Sequence, residues 1–315
     1  MTPLAKRILL ATDFSDCAGR AQDYALFLGE ACGACLDILH VLEFQPGMDP
    51  DYPVNHLYLE HLQKETGALL DALVSHAAHR GLTANVHQVT GIPSQWIAVM
   101  AKEKEVDLIV LGTHGRTGLE HILLGSTAER VVAQAPCPVL TVRLERARLM
   151  PDEAQAAIAA PAIRTILVPI DFSDCSLDAL EYAAQVAKQF SAAVTILHVL
   201  EPVSYSLDFS LTHAGKARAQ RERLEARLAE IAASLRRAGL TADHVLRGGV
   251  PADSLLDWSR EQAYDLIVMG THGRRGVSHL VSGSVAEAVL RQASSPVLTV
   301  KSPKFRSGHR RIVQP

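Results

Sequence analysis

Short unbroken apolar runs alternate along the chain with longer stretches in which apolar positions recur every three or four residues. Arg7-Ile8-Leu9-Leu10-Ala11 and Thr165-Ile166-Leu167-Val168 show no polar alternate in their cores, the pattern of a strand covered on both faces. Each runs into Asp-Phe-Ser-Asp-Cys, where Ser15 or Asp16, and Ser173 or Asp174, can cap a helix. Its apolar positions Ala21, Ala25 and Leu28 return as Ala179, Ala183 and Val186. Second strands are predicted at Leu36 to Leu42 and Val194 to Leu200, each followed by an amphipathic helix. In the second copy that helix keeps Leu224, Leu228, Ile231 and Leu235 on one face, and Gly81 and Gly239 close the two copies. A third strand near Val86 to Val89 leads into Gly91-Ile92-Pro93, whose proline suits a first helical turn. Fourth strands, Asp107 to Leu111 and Asp265 to Met269, enter glycine-bearing loops. Helices then start at Ser126 and Ser284, and fifth strands span Pro138 to Arg143 and Pro296 to Lys301.

Strands alternating with helices imply crossover connections and a parallel sheet covered on both sides. The predicted fold class is α/β, a doubly wound, Rossmann-like unit of five parallel strands in the order 3-2-1-4-5, used twice. The duplication is visible in register: Asp13, His40, Gly91, Gly112 and Pro138 recur as Asp171, His198, Gly249, Gly270 and Pro296, each 158 residues on. The expected organisation is a first domain at 1–143, a linker at 144–161, a second domain at 162–301 and a mobile basic tail at 302–315.

Composition narrows the function. With 48% hydrophobic and 21% charged residues and a net charge of −3, the chain reads as soluble and globular, without the positive field that nucleic-acid binding needs. The first apolar run stops at Asp13, too short for a signal peptide or a membrane span, so a cytoplasmic location is expected. Five cysteines make an odd set, and three lack a repeat counterpart, which fits a reducing compartment. Cys32 and Cys35 have redox spacing, yet Phe190 and Ala193 stand at the matching positions. Cys17 and Cys175 do recur near a helix start, where oxidation sensing and plain packing both stay open.

The chemistry concentrates in one repeated loop. Gly112-Thr113-His114-Gly115-Arg116, followed by Gly125-Ser126, returns as Gly270-Thr271-His272-Gly273-Arg274, followed by Gly283-Ser284, each copy reading G-x2-G-x9-G-S. In a doubly wound sheet of this order, ligands bind at the carboxyl ends of strands one and four, where the strand order reverses. Asp13 or Asp171 ends strand one and the glycine loop leaves strand four, so both converge on one crevice. The first two glycines are expected to take positive φ and let the backbone approach a ligand. The last opens a helix whose N–H groups and dipole favour phosphate, with Ser126 or Ser284 adding a hydroxyl. The aspartate can accept ribose hydroxyls, and backbone at Val41 or Val199 can meet a base edge, so the expected ligand is a nucleotide. His114 and His272, and Arg116 and Arg274, are phosphate neighbours or ordinary loop residues. No metal site is expected from the histidines. His40 and His198 are expected to bond a backbone carbonyl.

Both repeats resemble the universal stress protein family in its ATP-binding class, over roughly residues 5–143 and 162–301. In that family the pattern G-x2-G-x9-G-[ST] marks ATP binders. The resemblance implies an adenine-nucleotide-binding, HUP/Rossmann-like fold and ATP, with Mg, as the cofactor. It places site one at Asp13, Val41, Gly112, Gly115, Gly125 and Ser126, with the neighbouring Ala11, Thr12, His114, Arg116 and Thr127 as further candidates. Site two falls on Asp171, Val199, Gly270, Gly273, Gly283 and Ser284, with Pro169, Ile170, His272, Arg274 and Val285 as further candidates. The residue two before the aspartate is often proline in the family; Pro169 keeps it and Ala11 does not. The resemblance also supports an intramolecular pseudo-two-fold pairing of the repeats through their fifth strands, whose edges are otherwise open; homodimerisation is a further option. The chain lacks the phosphate loop G-x4-G-K-[ST], a kinase H-R-D loop, an S-G-G-x-D-S adenylation loop and an H-I-G-H signature. The primary expectation is therefore a nucleotide-responsive stress or regulatory protein with no assigned catalytic residue. The alternative is a slow ATPase or autophosphorylating enzyme.

Overall fold

The unbroken apolar runs become the central strands of a parallel five-strand arrangement in each of two units. The structure is a computed structural model in which residues 4–43, 53–115, 124–144, 160–201, 211–271 and 283–301 are described, and the chain divides into units Met1–Pro161 and Ala162–Pro315. Unit one runs β1 (Arg7–Ala11), α1 (Asp16–Cys32), β2 (Cys35–Leu42), α2 (Pro53–His79), β3 (Ala84–Thr90), α3 (Pro93–Glu103), β4 (Leu108–Gly112), α4 (Ser126–Gln134) and β5 (Val139–Val142). Unit two repeats it as β6 (Thr165–Pro169), α5 (Asp174–Phe190), β7 (Ala193–Leu200), α6 (Leu211–Arg237), β8 (Ala242–Gly248), α7 (Pro251–Gln262), β9 (Leu266–Gly270), α8 (Ser284–Gln292) and β10 (Val297–Val300). Parallel pairing gives β3-β2-β1-β4-β5 in unit one and, equivalently, β8-β7-β6-β9-β10 in unit two. The predicted strand order therefore holds in each unit.

Consecutive side chains of a strand point to opposite faces, so a strand that buries all of them must be covered on both sides. Ile8, Leu9 and Leu10 are wholly buried, as are Ile166, Leu167 and Val168. Helix ends follow local chemistry. Ser15 and Ser173 accept from the N–H groups of Ala18 and Ser176, and Gly81 and Gly239 turn left-handed after α2 and α6 at φ 73° and 85°. The fourth strands begin one residue later than expected. Asp107 instead turns its carboxylate onto the N–H groups of Lys6 and Arg7 at 2.8 and 3.0 Å, and Asp265 does the same for Arg164 and Thr165. Each aspartate thereby fastens the start of the central strand.

One polar cluster escapes any repeat or motif. Asp37, buried on β2 at the amino ends of the strands, accepts from Arg7 at 2.7 Å, His87 at 2.9 Å and Asn85 at 3.3 Å. Burial pushes its carboxyl up, but hydrogen bonds from His87 and Arg7 and the Arg7 charge outweigh that and hold it below the ordinary carboxylate range. Unit two has Thr195 at the matching position. All five cysteines are free thiols, and burial raises Cys32 and pushes Cys137 up to about 12. Cys17 and Cys175 are buried and donate to the carbonyls of Val142 and Val300, a packing role. Among the described residues no helix is long and apolar enough to cross a membrane. Most of the expected linker (145–159) and the tail (302–315) lie outside the described residues.

Candidate nucleotide-binding crevices

Strand β1 ends at Ala11, and the chain continues through buried Thr12, whose N–H still bonds Leu39 O at 3.0 Å, into Asp13. The Asp13 carboxylate is held in place. Its Oδ1 accepts from the backbone N–H and the hydroxyl of Ser15 at 3.1 and 2.7 Å, while the same hydroxyl accepts from Ala18 N–H. The N-cap of α1 thus couples the helix terminus to the carboxylate. Between them Phe14 sits at φ 60°, a left-handed conformation that a bulky residue takes only under constraint. Its ring packs at 4.9 Å on His40, whose Nδ1–H donates to Thr12 O at 2.8 Å. His40 thus satisfies a backbone carbonyl, which also fixes its tautomer.

The glycine loop meets this carboxylate. A β-carbon on Gly115 would stand 2.6 Å from Asp13 Oδ2, so glycine alone leaves room there. The Ser15 hydroxyl also reaches His114 O at 3.4 Å, and His114 Nδ1 lies 2.9 Å from Thr113 Oγ1. The expected positive φ at Gly112 and Gly115 is corrected: neither is among the left-handed glycines. Gly112, the last residue of β4, is required because a β-carbon would come within 3.0–3.2 Å of the Cys17 and Ala18 backbone in the first turn of α1. Its role is close helix-to-strand packing beneath the crevice. Gly125 donates to Thr113 O at 2.8 Å and forms the N-cap of α4, where it offers no side-chain acceptor to the first-turn N–H groups. Ser126 is exposed and Thr127 half-buried in that first turn, and Val41 is half-buried near the end of β2. Arg116 lies outside the described residues.

Unit two builds the same parts with two differences. Asp171 Oδ1 accepts from Ser173 N–H and hydroxyl at 3.0 and 2.6 Å, Phe172 lies at φ 63° against His198 at 4.8 Å, and His198 Nδ1–H donates to Ile170 O at 2.7 Å. A β-carbon on Gly270 would meet Cys175 at 2.9 Å, and Gly283 caps α8 as Gly125 caps α4, with Ser284 and Val285 in its first turn. Val199 is half-buried near the end of β7. First, Pro169 has no N–H to donate. The β6–β9 ladder registers only Ile166↔Leu266 and Leu167↔Ile267, whereas β1 and β4 stay paired up to Ala11↔Leu111. The hydrogen-bonded ladder between the first and fourth strands of unit two therefore ends earlier than that of unit one. Second, the Arg227 guanidinium lies 4.3 Å from the Phe172 ring centroid, where unit one has Leu69. His272, Gly273 and Arg274 lie outside the described residues. Among the described residues no group of three or more His, Cys, Asp or Glu is placed to hold a metal.

Sequence reasoning missed the strained phenylalanines, the serine locks and Arg227. Asp-Phe-Ser-Asp-Cys in both copies was a usable signal for the first two. Nothing local marks an arginine that reaches a ring from a distant helix.

Comparison with known proteins agrees with the duplicated architecture. A crystal structure of a universal stress protein from Archaeoglobus fulgidus superposes with a TM-score of 0.66 at 23% identity, covering 95% of this chain and 99% of that one, which speaks for the fold. A universal stress protein of Synechocystis sp. is 26% identical over 323 residues, 94% of this chain and 100% of its own length. A universal stress protein of Methanocaldococcus jannaschii is 36% identical over 141 residues, 44% of this chain and 83% of its own. The model of the universal stress protein family matches residues 5–143 and again 162–301, and the chain, with two tandem copies of that domain, belongs to this family.

Proposed function

We propose that each unit binds an adenine nucleotide, ATP with Mg, in the crevice between its first and fourth strands, and that the protein acts as a nucleotide-responsive stress or regulatory protein. The observation that carries this reading is the contact between Asp13 Oδ2 and the site of a missing β-carbon at Gly115. It joins a fixed carboxylate to a loop that ends in the open N-terminus of α4. A carboxylate accepts from ribose hydroxyls, and unsatisfied first-turn N–H groups with the helix dipole favour phosphate. Both features stand at the carboxyl ends of the strands where the order reverses, the usual ligand position in such sheets.

In site one the ligand would be held by Asp13, the backbone at Val41, Gly115 and the first turn of α4, and in site two by Asp171, Val199, Gly273 and the first turn of α8. Magnesium would be held mainly by the phosphates and water, since among the described residues no group of three or more His, Cys, Asp or Glu is placed to cage it. The test is mass spectrometry of small molecules released by denaturing freshly purified protein, followed by calorimetric titration of the emptied chain. Release of ATP or ADP and a stoichiometry near two are the expected results. A chain that carries no nucleotide and takes up none on titration would overturn the reading.

A further inference from the structure

The two crevices differ at one rim position in a way that bears on which nucleotides they hold. Helix α6 has 27 residues and ends at Arg237, shortly before β8, whose start pairs with that of β7, so Arg227 stands about 15 Å up the helix. His198, five residues into β7 from Ala193, stands about 16 Å up the strand. Arg227 is thus level with the end of the sheet, and its guanidinium lies over the ring of Phe172, the residue that follows Asp171. That ring is clamped on its own side by His198 at 4.8 Å, so it is a fixed platform for the arginine. Arg227 is exposed, and among the described residues it has no carboxylate partner. Phe14 and His40 form the same platform in unit one, but Leu69, itself exposed, takes the arginine's place on α2.

We infer that Arg227 is a charge-bearing rim residue of the second crevice, absent from the first, which biases that site toward nucleotides carrying several phosphates. This rests on the proposed nucleotide binding. The physical basis is that an unneutralised guanidinium stacked on a fixed ring keeps its charge while its position is restricted. Its attraction for a ligand scales with the ligand's charge and vanishes for a neutral nucleoside. Across partly aqueous distances of this size the attraction is small and screened by salt. Unit one carries Arg130 where unit two has Ala288, on the second turn of α4, so the two rims differ elsewhere as well and the comparison belongs within unit two.

The experiment uses the full chain with Gly115→Val, which blocks the first crevice, and compares it with the same chain carrying Arg227→Leu, the residue that unit one has. Mg-ATP is titrated at low and high potassium chloride, and adenosine is titrated by competition at millimolar concentration. Arg227→Leu is expected to weaken Mg-ATP roughly two- to five-fold at low salt, less at high salt, and to leave adenosine unchanged. An equal loss for both ligands would mean that Arg227 only braces Phe172 and would overturn the inference, as would no loss at all. Failure of the wild-type chain to bind any adenine nucleotide would instead overturn the reading on which it rests.

Discussion

A β-carbon at position 115 would lie 2.6 Å from Asp13 Oδ2, closer than any relaxed side chain tolerates, so Gly115→Val must displace either the loop or the carboxylate. The expected outcome is loss of one of two nucleotide sites, seen as calorimetric stoichiometry falling from about two to about one, with the second site intact. Unchanged stoichiometry would mean that the ligand does not depend on this contact. Asp37 supports a prediction of a different kind. Its folded carboxyl lies below its unfolded value of about 3.9, so the stabilisation it supplies is present above that value and is lost as pH falls through the folded one. Asp37→Asn is expected to destabilise unit one by about 2 kcal/mol at neutral pH, leaving Arg7 and His87 with a weaker acceptor. The gap between variant and wild type should narrow in urea melts carried from pH 6 down to pH 3. A gap that stays constant or widens would show that the cluster carries no linked proton. Asp13 facing the glycine loop was legible in the sequence, because a topological rule brings two distant motifs together. Asp37 was not, because it sits in an apolar run and meets its partners only through sheet pairing.

The elements themselves were largely legible because burial on both faces writes unbroken apolar runs and one-sided burial writes a helical period. Boundaries were readable where chemistry is local, as at the Ser15 and Ser173 caps and the left-handed Gly81 and Gly239. They were hidden where tertiary structure forces an ordinary residue into a glycine's conformation: Ser191 caps the carboxyl end of α5 at φ 55° and Ala263 that of α7 at φ 50°. The α1 cap ties element to site, since one hydroxyl both accepts from Ala18 N–H and donates to Asp13. Ser15→Ala is therefore expected to cost about 1 kcal/mol of stability through the lost cap. It should also weaken nucleotide binding in the first crevice, because Asp13 loses the shorter of its two bonds from Ser15. Urea unfolding and titration read the two effects separately, and a cap loss without any change in affinity would show that Asp13 is oriented by other groups.

At the scale of the whole molecule, the duplication gives two crevices whose parts, on the proposed function, suit binding a nucleotide more than turning it over. Helix N-termini and loop amides stabilise phosphate in its ground state, and groups that serve substrate and transition state alike do not accelerate a reaction. The two fixed aspartates are committed through Oδ1 to the Ser15 and Ser173 caps, which suits an acceptor of hydroxyl groups more than a base that must abstract a proton from water. ATP is thus expected to behave as a ligand that stabilises the fold. A nucleotide that binds only the folded chain at about one hundred times its dissociation constant contributes about 2.7 kcal/mol per site. A thermal melt with Mg-ATP should accordingly shift upward by several degrees, and the shift should shrink when Gly115→Val removes one site. A phosphate-release assay on the same samples supplies the opposing test. Turnover in the range of roughly 1–1000 per second would reject a binding role in favour of a dedicated ATPase, whereas release far slower than this is the outcome expected of a bound ligand.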